Sequence, residues 1–231
     1  MENLIDISHL CKQYGAFSLK DVSLTLPAGS IVGLIGENGA GKTTTLKSLL
    51  GLIRPDGGQI SLMGMDAQKE GIRAHEQIGV VLDECCFHDH LTPTHLARIL
   101  SPLFPSWDHG YYASLLERFT LNPGKPVKDL SRGMKTKLSL ACALAHHPRL
   151  LILDEATSAL DNATEMLIQQ ALEKLSEGRT SLIVAHRLST IKNADEIIVL
   201  TDDGIAERGT HEDLLAKGGI YAGLYQYQFR E

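Results

Sequence analysis

Several things are scarce in this 231-residue sequence. Aromatic residues make up 5% of it, with a single tryptophan, and the four cysteines, Cys11, Cys85, Cys86 and Cys142, show no CxxC spacing. A disulfide-stapled scaffold is excluded, and in a chain expected to stay unexported the thiols are expected to be reduced. Basic residues are outnumbered: 22 Lys and Arg against 28 Asp and Glu leave a formal charge of −6. That is the wrong sign for binding nucleic acid through bulk charge, so no nucleic-acid partner is expected. No apolar run reaches the roughly 18 residues that span a bilayer. The start, MENLIDISHL, lacks a basic end followed by an apolar stretch, so neither direct membrane insertion nor export is expected. Internal repeats and low-complexity linkers are also missing.

What is present is a globular composition, 43% hydrophobic and 22% charged, which can bury a core of its own. Short apolar runs at 31–35, 78–82, 150–153, 181–185 and 197–200 alternate with longer periodic segments. Unbroken runs of this length suit strands covered on both faces, so an α/β fold with a mainly parallel sheet is expected. Helices are expected at Thr43 to Leu52, Glu165 to Leu175 and His211 to Lys217, the last opened by a capping box of Thr210 and Asp213. The alternation around LKDVSLTLPAG reads as antiparallel strands ahead of the main sheet. Residues 90–148, in which Pro93, Pro102, Pro105 and Pro123 break a mostly helical stretch, read as an inserted helical lobe. One domain is expected over 1–231, its catalytic core formed by 1–89 and 149–231 around a helical subdomain at 90–148.

Directly after the strand IVGLI comes GENGAGKTT, in which Gly36, Gly41, Lys42 and Thr43 satisfy GxxxxGK[ST]. Backbone N–H groups converge on phosphate oxygens only where side chains do not block them, and glycine provides that clearance. Lys42 is expected to reach the β and γ phosphates, Thr43 to offer its hydroxyl to Mg²⁺, and the helix N-terminus to add partial positive charge. Asn38, Gly39, Ala40 and Thr44 complete the expected nucleotide cradle. MgATP is therefore the expected ligand, and this makes the fold a P-loop NTPase of the RecA-like kind.

RLLILDEAT puts Asp154 and Glu155 at the carboxyl end of a buried strand, where ligands sit in open α/β sheets. Asp154 is expected to hold Mg²⁺ and Glu155 to act as general base on a water aligned with the γ phosphate; an ordinary solvated acid pair is the competing reading. His186 follows the strand SLIVA. It is either a structural hydrogen bonder or the group that holds a γ-phosphate oxygen and orients the attacking water. In DLSRGMKTKLSLACALA, Ser131 reads as an N-cap and Gly133 lies in the first turn of a long helix, a second anion site without a lysine loop.

Together these residues resemble the nucleotide-binding subunit of ATP-binding cassette (ABC) transporters, LSRGM being similar to that family's LSGGQ signature. The resemblance implies that Tyr14 stacks on adenine, with a buried strand-edge tyrosine as the other reading. It implies that SALD, ending at Asp161, meets a partner subunit, and that two copies pack head to tail in an ATP-dependent dimer, Ser131 and Gly133 of one closing on the ATP held by Lys42 of the other. It also implies a transmembrane subunit on another chain and a cytoplasmic, peripheral location at the inner face of the membrane.

The sequence departs from the family pattern at two places, the second covering two positions. Asp83 stands where a glutamine is usual, still able to approach Mg²⁺, and the signature carries Arg132 and Met134 in place of glycine and glutamine; slow hydrolysis is one consequence. Up to about residue 150 the chain is similar to free-standing ABC-2-type ATPase subunits. From Asp154 on, DEATSALD and IVAHRLSTI are similar to exporter half-transporter cassettes. A chimera joined near 149–158 is the expectation this raises, and a module that binds ATP with little turnover and no transport partner is the alternative function. A third reading, an ABC ATPase of DNA repair or translation, is disfavoured by the single cassette and the 112 residues separating Lys42 from Asp154. Cys85, Cys86, His88, His90 and His95 match no usual zinc spacing and are expected to form a contact surface.

Overall fold

A computed structural model describes residues 2–15, 17–154, 180–185 and 187–229. The helix expected at Glu165 to Leu175, together with Glu155, Ser158, Asp161 and His186, lies outside the described residues. The chain forms two units, Met1–Ala74 with Gly178–Glu231, and His75–Glu177.

The first unit begins with β1 (Asn3–Tyr14) and β2 (Phe17–Pro27), an antiparallel pair running from Asn3 opposite Pro27 to Tyr14 opposite Phe17. Leu19, Val22, Leu24 and Leu26 point inward between exposed Lys20, Asp21 and Ser23. Two polar residues in a row fit because the register shifts there, with His9 and Asp21 at positive φ, and a bulge leaves its extra residue outside the strict alternation. Next come β3 (Ile31–Gly36), α1 (Lys42–Leu49), β4 (Gly57–Leu62) and β5 (Met65–Asp66). β4 pairs with the free edge of β1, giving an antiparallel sheet in the order β2-β1-β4-β5. The expected antiparallel start is therefore present and gains two strands from beyond the cradle.

A short helix, α2 (Gly71–His75), precedes β6 (Ile78–Val81) in the second unit. There α3 (Pro93–Leu100), α4 (His109–Arg118) and α5 (Arg132–Leu144) lead to β7 (Leu150–Asp154), which runs parallel to β6 with Ile78 opposite Leu150. Pro93, expected among the breakers, instead opens α3. The missing N–H costs nothing at a first helical position, and Thr92 and His95 close a capping box around it. Asp108 caps α4 by accepting from the Tyr111 amide. Leu138 and the run from Leu140 to Leu144 bury the inner face of α5, against which Tyr112 sits, donating its hydroxyl to the Pro93 carbonyl at 3.0 Å.

The first unit resumes with β8 (Thr180–Val184), α6 (Leu188–Ile191), β9 (Glu196–Thr201), β10 (Gly204–Gly209), α7 (His211–Lys217) and α8 (Ile220–Gln228). β3 lies between β8 and β9 and is parallel to both, with Gly33 opposite Ile183 and Ile197. Ile197, Ile198, Val199 and Leu200 are all inaccessible to solvent, which is why these strands read as continuous apolar runs. β10 returns antiparallel on β9. The capping box expected at Thr210 is present, with Asp213 bonded to both its backbone and its hydroxyl. Side chains also hold the starts of strands: the Ile31 amide donates to Asp195 at 2.7 Å and the Gly29 amide to Thr180 at 2.8 Å.

Candidate nucleotide site

The loop from Gly36 to Gly41 is shaped by what its backbone must avoid. A Cβ on Gly36 would run into the Leu200 carbonyl oxygen, and backbone cannot move aside. Gly39 and Gly41 sit at φ of 88° and 98°, in the left-handed region that side chains disfavour. Gly41 caps α1 with no side-chain hydrogen bond, and the first turn holds no acid. The helix end thus keeps its positive partial charge and turns its first amides toward an incoming anion with no side-chain cap across them.

Lys42 is only 5% exposed. Its ammonium donates to the Gly36 carbonyl at 2.8 Å and to the Glu37 carbonyl at 3.1 Å, so the charge is held inside the loop by the loop's own oxygens. Ala40 is buried, Asn38, Gly39 and Thr43 are exposed, and Thr44 is half-buried. Open space lies where a Gly39 side chain would be. These residues suit a polyanion: a fixed ammonium, a helix N-terminus and an open glycine face, with the Thr43 hydroxyl on the first turn for a metal such as Mg²⁺.

A groove of about 650 Å³ runs beside this loop, between Gly36, Glu37 and Asn38 and the terminal helix α8. The tyrosines of α8 differ in burial: Tyr221 is fully buried and hydrogen-bonded to His211 at 2.7 Å, whereas Tyr227 is 84% exposed. Tyr14, at the end of β1, is 46% exposed, so the buried strand-edge reading does not hold for it. Lys12 lies 5.1 Å from its ring centroid. The Asp56 carboxylate accepts from both Lys12 and the Gln13 amide at 2.8 Å. Those two bonds, Lys12 first, hold its carboxyl below the usual aspartate range, and they pin the strand end that carries Tyr14.

In the second unit Asp154 ends β7, half-buried at the carboxyl end of the strand. Ser131 caps α5, its hydroxyl accepting from the Met134 amide at 3.3 Å, and Gly133 sits in the first turn. Asp83, in the segment after β6, accepts from the Arg132 guanidinium at 3.0 Å. The two expected departures from the family pattern therefore touch each other. Sequence reading carried no signal for that contact across 49 positions, nor for Asp56. It also missed Gln228, whose side-chain oxygen accepts from the Leu188 amide at 2.9 Å, two residues past His186.

A parallel strand, a glycine loop holding a buried lysine and a helix starting on that lysine define a P-loop nucleotide-binding α/β protein. A family profile described as ABC transporter matches residues 19–158. The "ATP-dependent lipid A-core flippase" of Syntrophus aciditrophicus (strain SB) is 38% identical over 223 residues, covering 92% of this chain and 37% of the flippase. Among solved structures, "Structure of ATP binding subunit of ABC transporter" superposes with a TM-score of 0.85 at 27% identity, covering 96% of this chain and 98% of that one. "Structure of a bacterial Atm1-family ABC exporter with ATP bound" gives 0.87 at 27% identity, covering all of this chain and 43% of the exporter. The chain belongs to the ABC transporter family, as an ATP-binding domain of the kind that hydrolyses ATP. It spans less than two-fifths of the length of curated relatives such as the flippase, 37% and 38% of two of them. Among the described residues no helix is long and apolar enough to cross a membrane.

Proposed function

We propose that this chain binds MgATP at the Gly36–Thr43 loop, hydrolyses it in a head-to-tail pair with a second copy, and powers transport through a membrane-spanning part at the inner face of a membrane. The observation that carries the reading is the buried Lys42 ammonium held between the Gly36 and Glu37 carbonyls. A cation kept at that place before the phosphates arrive spends no further ordering entropy when they do. Two of the similar proteins, named a flippase and an exporter, favour an export direction.

Lys42 and the amides of Gly39, Ala40, Gly41 and Thr44 bind and orient the phosphates, and Tyr14 offers its ring face to the adenine. Thr43 and Asp154 are the residues we assign to Mg²⁺, which when bound neutralises phosphate charge and orients the triphosphate. Glu155 takes the proton from the attacking water, and His186 holds a γ-phosphate oxygen. Ser131, Gly133 and Asp161 are assigned to the face that meets the second copy, the first two as anion donors at the start of α5.

The deciding experiment is Glu155→Gln. Loss of a general base lowers turnover by about 10²- to 10⁴-fold, while ATP still raises the unfolding temperature because binding to the native state stabilises it whether or not chemistry follows. Near-normal phosphate release from that variant removes Glu155 from the mechanism. An unmodified chain that ATP stabilises without any phosphate release supports the binding-only module instead.

A further inference from the structure

We propose that Arg132 is a positioning residue for ATP hydrolysis, acting through its ion pair with Asp83, so that these two departures from the family pattern form one coupled device. The proposal rests on the ATPase reading above and adds to it.

The first argument is charge. Arg132 is the first helical residue of α5, directly after the Ser131 cap and directly before Gly133. A cation there lies at the positive end of the helix, where it is disfavoured. The first turn contains no acid to offset it. Asp83 supplies that offset from outside the helix, its Oδ1 accepting from Arg132 Nη2 at 3.0 Å. A glutamine at 83 would be neutral and a glycine at 132 would have nothing to reach with. Each substitution alone therefore leaves the ion pair unmade, and only the two together form it.

The second argument is geometry. The pair bridges a groove of about 330 Å³ with the 82–85 segment on one wall and Arg132, Lys135, Thr136 and Ser139 of α5 on the other. The tether ends on the turn that carries Ser131 and Gly133, so any shift of the segment after β6 is passed straight to the residues that present anion donors. The third argument is strength. Side-chain exposure is 61% for Arg132 and 34% for Asp83, and pairs this open to water are weak. Such a contact biases an orientation and can open during a catalytic cycle, which a buried lock could not do.

The test uses the full chain and a double-mutant cycle: Arg132→Gln, Asp83→Asn, both together, and the charge swap Asp83→Arg with Arg132→Asp. The readouts are kcat, KM for ATP, the Mg²⁺ dependence of turnover, and stabilisation by MgATP. Each single variant is expected to lower kcat about two- to five-fold with KM unchanged. The double is expected to be no worse than the worse single, and the swap to recover turnover above either single, since an acid at the start of α5 suits the helix dipole. Losses that multiply in the double, a swap no better than the singles, or wild-type turnover in Arg132→Gln each overturn the proposal. So does an altered Mg²⁺ dependence in Asp83→Asn that Arg132→Gln does not share, which would make Asp83 a metal residue acting on its own. Failure of the unmodified chain to bind MgATP is a different result and removes the ATPase reading underneath.

Discussion

The cradle in the first unit and the signature turn in the second each lie at the N-terminus of a helix, but they are built by opposite means. The cradle is set by backbone. Gly36 has no room for a side chain beneath Leu200, two left-handed glycines turn the loop, and Lys42 is held by the loop's own carbonyls. The signature turn is set by side chains at the surface: one hydroxyl cap at 3.3 Å and one exposed ion pair at 3.0 Å. A backbone-built site is organised before its ligand arrives, whereas one built from exposed side chains needs another surface to complete it. That contrast is what a second copy closing on ATP would require of the two ends.

The contrast can be broken or sharpened by substitution. The largest expected effect is on the cradle: Lys42→Ala removes a charged hydrogen-bond donor and lowers ATP affinity about ten- to a hundred-fold, read by titration calorimetry. An unchanged affinity would mean the buried ammonium is structural only. Next is Gly36→Ala, whose Cβ meets a backbone oxygen that cannot withdraw. Overpacking of this kind costs about 1–3 kcal/mol, a drop of about 2–12 °C in the unfolding temperature. Ser131→Ala loses a cap worth about 1 kcal/mol, about 2–4 °C, and leaves ATP affinity at the cradle unchanged; a change in that affinity would blur the distinction between the two sites.

The smallest effect concerns Asp56, whose folded carboxyl titrates below its ordinary value of 3.8 because of Lys12 and the Gln13 amide. A depressed acid adds stability that is fully present above the unfolded value and is lost as pH falls through the folded one. A slight additional fall in unfolding temperature below pH 3.8 is therefore expected, and it should vanish in Asp56→Asn. Melting curves of the two proteins, parallel down to pH 2, would show that the pair contributes nothing.

Much of the fold could be read before any coordinates. The runs at 31–35, 150–153 and 197–200 became β3, β7 and β9 with no boundary shifted by more than one residue, because strands buried on both faces leave an unbroken apolar mark. The α7 helix began and ended at His211 and Lys217 as expected, since its capping box is local chemistry. The first helix stopped at Leu49 rather than Leu52, as helix ends are set by the last carbonyl partners rather than by periodicity. Pro93 was misread because the same residue that ends one helix starts another.

The linear order of residues by itself determined the P-loop cradle, the alternation of strands and helices and the family to which the chain belongs, because each rests on backbone requirements expressed within a dozen neighbouring positions. Only the folded chain decided that Asp83 meets Arg132, that Asp56 pins the strand end before Tyr14 and that Gln228 caps the turn after His186. Those partners lie 40 or more positions apart. Hydrogen-bond and charge complementarity between single polar side chains leaves no periodic trace along a sequence, and it exists only once packing has brought them within reach.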